Sequence, residues 1–232
     1  MTVTTAVLDD ILERLRHTDT AAVSDALDSL GIPGVLRGIT CRVPGVTTVG
    51  VAYTVTYGPV ADSGGREGAT FHNAANYIDD VPAGSVIVVD NGGSLDCTNW
   101  GNILTSMALR RGIAGTVIHG SARDVAEIRT HGYPLFSTGV SMVSGKNRVT
   151  LSAIGSDVVI DGVRVSSGDV IVGDDNGVIR IPQAIAEAVT DRAVRVDETE
   201  RAIADAVRTG MRLDEARAQF GYATPWEPAS AR

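Results

Sequence analysis

The chain has 232 residues, 44% of them hydrophobic, enough to bury a sizeable core as one domain or one domain with an appendage. A net charge of −8, with no basic cluster beyond Arg110-Arg111 and scattered helical arginines, argues against a nucleic-acid partner, since phosphates need clustered cations to meet them. Cys41 and Cys97 lack metal-ligating neighbours and read as reduced thiols. The opening MTVTTAVLDDILERLRH carries acids in place of an apolar signal core, and no run nears the roughly 20 apolar residues of a membrane span. A cytoplasmic chain with no membrane partner is the expectation.

Leu8, Ile11, Leu12 and Leu15 recur at helical spacing and predict a first helix. Val23, Leu27 and Leu30 predict a second, begun near Thr18-Asp19 and stopped by Gly31 and Pro33. The period then changes, and Val49, Val51, Tyr53, Val55 and Tyr57 alternate as in a half-buried strand. The polar loop 58–70 is a candidate lid, and Phe71 to Ile78 a short helix. Pro82-Ala83-Gly84 turns the chain into residues 85–90, whose unbroken apolar run predicts a strand covered on both faces.

In residues 98–111, Ile103 and Met107 fall at helical spacing with Leu104 and Ala108, and Gly112 fits the stop. The helix then begins near Trp100-Gly101-Asn102, directly after the Gly92-Gly93 loop. Its free N–H groups and positive dipole end suit a carboxylate or phosphate, and Gly101 leaves room for a ligand. The next stretch, Arg111 to Asp124, reads as a helix stop, a short buried strand and a tight Gly/Ser/Ala turn. It ends in Arg123-Asp124, which could hold an anionic substrate and a hard metal ion together. The alternative is that Asp124 only N-caps a helix over 125–131 and Arg123 is a solvated charge.

A strand over 133–137 follows, then two hairpins. Asp161-Gly162 lies between 158–160 and 163–165, and Asn176-Gly177 between 170–172 and 178–179. From Pro182 the chain reads as charged helix to about Thr209, and again from Leu213 to Phe220. An arm this long relative to the core is expected to pack on a neighbouring subunit.

Together these residues resemble the class II pyruvate aldolases of the 4-hydroxy-4-methyl-2-oxoglutarate type, a family that includes the regulator of ribonuclease activity A. The resemblance rests on Trp100-Gly101-Asn102-Ile103-Leu104 and on Arg111-Gly112…Gly115…Gly120…Arg123-Asp124. The strand Tyr133-Pro134-Leu135-Phe136 and the segment 173–178 extend it, so that it spans roughly residues 20–182. It implies an α/β fold: a swivelling-domain-like, β-rich core flanked by helices over 1–182, and a C-terminal helical arm over 183–232. It also implies a homotrimer or dimer of trimers with active sites at subunit interfaces.

Carried over by position, the resemblance implies that Asp124 ligates Mg²⁺ or Mn²⁺ largely through waters. Arg123 would bind a 2-oxo acid and its developing enolate. The N–H groups of Gly101, Asn102, Ile103 and Leu104 would hold the substrate carboxylate. A glutamate from a neighbour's arm would complete the metal shell, with Glu200 the first choice and Glu198 the second; the alternative for both is a solvated helix face. The implied activity is a metal-dependent lyase, cleaving a 4-hydroxy-2-oxo acid to pyruvate or decarboxylating oxaloacetate.

Two positions depart from the family pattern. Aldolases of this kind commonly carry an acid where this chain has Asn102, and an amide cannot act as a base. His119 stands where relatives often have Asp or Asn, four residues before Arg123, which makes it a candidate replacement acid/base or a satisfied structural histidine. His72 and Asn73 are weaker candidates for the substrate's far end. The departures leave room for an isomerase, hydratase or other carbon–carbon step on the same scaffold. A non-catalytic, protein-binding regulator is disfavoured by the retained Asp124 and the long arm.

Overall fold

The structure, a computed structural model, describes residues 5–60 and 75–227, so most of the candidate lid with His72 and Asn73 lies outside the described residues. The chain divides into two compact units, Val35–Pro182 and a second made of Met1–Gly34 with Gln183–Arg232.

The first unit is α/β, as the sequence leads one to expect. Its strands are β1 (Thr40–Cys41), β2 (Thr48–Pro59), β3 (Ser85–Asp90), β4 (Gly115–Ala122), β5 (Leu135–Val140), β6 (Val149–Ile154), β7 (Val158–Ile160), β8 (Val163–Val165), β9 (Val170–Asp174) and β10 (Gly177–Ile181). Eight of them form one sheet in the order β1-β5-β4-β3-β2-β9-β10, with β6 pairing the far half of β2. β2, β3, β4 and β5 run parallel, which demands crossovers; α3 (Asn102–Arg111) links β3 to β4 and α4 (Val125–His131) links β4 to β5. The segment leading into β1 bridges both edges, Val35 opposite Ile179 of β10 and Thr40 opposite Ser137 of β5, so the sheet nearly closes into a barrel.

The unbroken apolar run of β3 is explained by a core on each face. Ile87 and Val89 pack with Tyr77, Trp100, Ile118 and Leu135, while Val86 and Val88 pack with Ala52, Val117, Phe136 and Ile171. β2 is more buried than its alternation implies, because β3 flanks it on one side and β9 and then β6 on the other. The Asp161-Gly162 hairpin forms as expected, with φ of 48° and 81° at the two turn residues. The second hairpin turns one residue earlier than expected. Gly177 already pairs with Asp174, leaving Asp175-Asn176 as the turn, and the Asp174 carboxylate fixes it by accepting the Asn176 N–H at 2.8 Å. Of the expected helix over 71–78, the described part is a 3-10 turn at Asn76–Asp80.

The second unit holds α1 (Thr5–Leu15), α2 (Thr20–Asp28), α5 (Ala186–Arg208) and α6 (Leu213–Phe220). Asp19 caps α2 by accepting the Ala22 N–H. One boundary between the units falls after Pro182, and the first two helices fall with residues 183–232 and not with the sheet. The reason is apolar matching: Ile11, Leu15, Val23 and Leu27 need cover, and α5 offers the buried stripe Val189, Ala193 and Val196. Arg14 to Asp191 at 2.6 Å and Arg192 to Ser29 at 2.8 Å tie the same helices. The arm that was expected to pack on a neighbour thus has partners within its own chain. Among the described residues, no helix is long and apolar enough to cross a membrane.

Candidate active site

The site lies at the carboxyl ends of the parallel strands, where open α/β sheets place their ligands. Two turns meet there: the connection from β3 into α3, and the exit of β4 into α4. Thr98 stitches them together, its hydroxyl donating to the carbonyls of Trp100 and Ser121. Trp100 anchors the first turn. It is buried, stacked on Tyr133 with ring planes 7° apart, and its indole N–H donates to Thr105. The Arg123 N–H donates to the Trp100 carbonyl at 3.0 Å, fixing the second turn against the first.

α3 begins at Asn102 and stops at Gly112, whose φ of 68° is the left-handed cap that glycine favours. Thr105 makes the first intrahelical bond, to Gly101, so the N–H groups of Asn102, Ile103 and Leu104 have no partner within the helix. Asp124 takes the first of these: its Oδ2 accepts the Asn102 N–H at 2.9 Å. Asp124 stands at the N-terminus of α4 in left-handed backbone (φ 58°), yet its side chain makes no cap bond to α4. It caps the other helix instead. The Arg123 Nε lies 3.6 Å from the same oxygen, and both side chains remain 39% exposed.

Gly101 is required here by close approach. A Cβ at this position would lie 2.6 Å from Asp124 Oδ2 and 3.1 Å from the Arg123 side chain. The space a side chain would take is therefore occupied by the acid and the cation of the Arg123-Asp124 pair.

A cavity of about 350 Å³ opens at this junction, lined among others by Gly101, Asn102, Ile103, Leu104 and Arg123. The structure thus brings together all five residues that the sequence marks for substrate binding, with Asp124 bonded to one of them. Three further lining residues, Asn99, Asp79 and Lys146, were missed by sequence reasoning. Asn99 had a usable signal in its place two residues before Gly101. Lys146 had none, because it reaches the cavity through a loop whose Gly145 packs against the Thr98 backbone, where a Cβ would meet the Thr98 carbonyl oxygen.

The side-chain Oδ1 of Asn102 and both polar atoms of the Asn99 amide are buried without a hydrogen-bond partner. Buried polar groups normally find one, so this wall is built to meet a polar ligand or water.

His119 is placed elsewhere. It pairs in register with Asp90 across β3 and β4, and its Nδ1 donates to the Asp90 carboxylate at 2.9 Å. It is not among the residues lining the cavity. Its ring lies against Gly93, where a Cβ would sit 2.9 Å from Nε2. Burial pushes the Asp90 carboxyl up, but hydrogen bonds from His119 and the Gly92 N–H, with the His119 charge, outweigh it and hold the group below its ordinary value.

Glu200 and Glu198 lie on α5 in the helical unit, Glu198 exposed and Glu200 half-buried. Burial, followed by the charges of Asp25, Asp19 and Asp197, raises the Glu200 carboxyl above its ordinary value. Among the described residues no group of three or more His, Cys, Asp or Glu side chains is arranged to hold a metal. Within one chain, a hard divalent ion at Asp124 would therefore be held by one carboxylate and several waters, a donor set that Mg²⁺ accepts and that the exposed Asp124 carboxylate fits.

Comparison with known proteins bears on the family and the fold. The chain is 44% identical to the DlpA protein of Legionella pneumophila over 94% of its own length, although it spans only 35% of that protein. It is 32% identical to a Halalkalibacterium halodurans protein provisionally named 4-hydroxy-4-methyl-2-oxoglutarate aldolase, over 85% of this chain and 90% of that one. An uncharacterized protein of Pseudomonas syringae has a crystal structure matching with a TM-score of 0.83 at 47% identity, covering 90% and 97% of the two chains. Streptomyces coelicolor RraAS2, titled an unusual member of the RNase ES inhibitor RraA family, matches with a TM-score of 0.73 at 27% identity, covering 83% and 94%. Residues 20–180 match the RraA-like family, described as aldolase/RraA, and the chain belongs to that family.

Proposed function

We propose that the protein is a divalent-metal-dependent lyase acting on a small 2-oxo acid. The observation behind this reading is one cavity that gathers the α3 amides, Arg123 and, through Asn102, the Asp124 carboxylate. The N–H groups of Ile103 and Leu104 orient the substrate carboxylate at the positive end of α3. Arg123 faces the keto oxygen and stabilises the charge that builds there as the carbon–carbon bond breaks. Mg²⁺ or Mn²⁺, when bound at Asp124, supplies Lewis-acid stabilisation of that same charge. Glu200 of a neighbouring subunit is the proposed second acid of the metal shell, in a homotrimer or dimer of trimers acting in the cytoplasm.

Proton handling sets this chain apart. Asn102 can position a water but cannot accept its proton, and His119, bonded to Asp90, is not part of the cavity wall. Retro-aldol cleavage needs a base for the substrate hydroxyl, whereas decarboxylation loses CO₂ without one. The wild type should therefore release pyruvate from oxaloacetate with Mg²⁺ at least as fast as from a 4-hydroxy-2-oxo acid. Asn102→Asp should raise aldol cleavage selectively, by about 10²-fold if the base contribution is typical. No pyruvate release from either substrate, with Mg²⁺ or Mn²⁺, overturns the lyase reading and favours a regulator of the kind that RraAS2 is titled.

A further inference from the structure

The side chain of Asn99 is unexplained by packing or by the site described so far. It lines the cavity two residues before Gly101, yet both its amide oxygen and its amide nitrogen are buried with no partner. Because both ends are unpaired, the argument holds whichever way round the amide sits. A buried amide left unsatisfied is costly, and a single ligand group that meets both of its ends offers a donor and an acceptor.

The reach is right for a particular part of the substrate. Consecutive Cα atoms are about 3.8 Å apart, so Asn99 lies within about 7 Å of Gly101 along the chain. With the substrate carboxylate on the α3 amides, the fourth carbon of a 2-oxo acid is three bonds on, about 4 Å at ~1.5 Å apiece. Among the groups found on that carbon, a hydroxyl both donates and accepts. A second carboxylate only accepts, which would leave the amide oxygen facing negative charge, and a methylene does neither.

We propose that Asn99 is the specificity-determining residue that reads the hydroxyl on the substrate's fourth carbon, an inference that rests on the 2-oxo acid lyase reading. Asn99 binds and positions; it moves no proton.

The test is calorimetric binding to the whole 232-residue chain with Mg²⁺, comparing 4-hydroxy-2-oxopentanoate with 2-oxopentanoate, which lacks only the hydroxyl. The wild type should prefer the hydroxylated compound by roughly 10- to 100-fold, the loss expected when a buried polar pair goes unmade. Asn99→Leu, of similar volume, should abolish the preference and leave 2-oxopentanoate affinity unchanged. A wild type that binds both equally, or an Asn99→Leu variant that keeps the preference or weakens both compounds alike, overturns the role of Asn99 and leaves the lyase reading standing. A wild type that binds neither overturns both. If the leucine variant fails to fold, the isosteric Asn99→Asp, which removes the amide's donor, should narrow the preference, and an unchanged preference there overturns the role of Asn99.

Discussion

The Asp124 carboxylate accepts the Asn102 N–H at 2.9 Å, joining residues 22 apart in the chain at the head of α3. The acid proposed to hold a metal ion is thus also the cap of the helix whose amides are proposed to hold the substrate. Asp124 keeps its own backbone left-handed to do this, at φ 58°. The observed cap and the proposed metal ligand are one side chain, and substitutions should separate the two roles.

Asp124→Asn retains an oxygen able to accept the Asn102 N–H and a residue tolerant of left-handed backbone. It should melt near the wild-type temperature while losing metal-dependent turnover. Asp124→Ala loses the cap, worth about 1 kcal/mol, and strains the backbone by about 1–2 kcal/mol more. Scanning calorimetry should show a drop of several degrees for the alanine variant alone. Equal melting of the two variants would show that the bond to Asn102 does not support α3.

Much of this site is legible in the sequence because glycine and cap positions act locally. Gly101 and Gly112 mark the two ends of α3, and Asp19 the start of α2, from neighbours within a turn. What sequence leaves hidden is side-chain partnership over long separations. Asp124 reads as a cap for the helix that follows it, yet it bonds to the helix before it. His119 reads as a neighbour of Arg123, yet the sheet register delivers it to Asp90. The pairing of α1 with α5, marked by Arg14 and Asp191 at a separation of 177 residues, is equally invisible to local periodicity.

The Asp90–His119 pair predicts a dependence on acid. The Asp90 carboxyl sits below its ordinary 3.8, so the stability it contributes is full above pH 3.8 and is lost as pH falls through the lower folded value. His119→Leu removes a hydrogen bond and a charge that hold it down. The acid-unfolding midpoint, followed by circular dichroism, should move to higher pH. An unmoved midpoint would show that the pair adds nothing to stability.

Glu200 predicts an opposition between stability and activity. Its carboxylate is half-buried near Asp19, Asp25 and Asp197, which disfavour its charge. Glu200→Gln should raise the melting temperature at pH 7 and, on the proposed metal role, lower metal-dependent turnover. This substitution is cleaner than truncating the arm, because α5 also covers α1 and α2. Higher stability with unchanged turnover would remove Glu200 from the metal shell and leave Glu198 to be tried.

The most direct measurement is calorimetric titration of oxalate, a planar mimic of the pyruvate enolate, into the wild-type protein with and without Mg²⁺, repeated on Asp124→Asn. The account predicts binding that requires Mg²⁺ and disappears in the variant. Oxalate that binds equally well without the metal, or to Asp124→Asn with undiminished affinity, would contradict the claim that this cavity is a metal-dependent 2-oxo acid site.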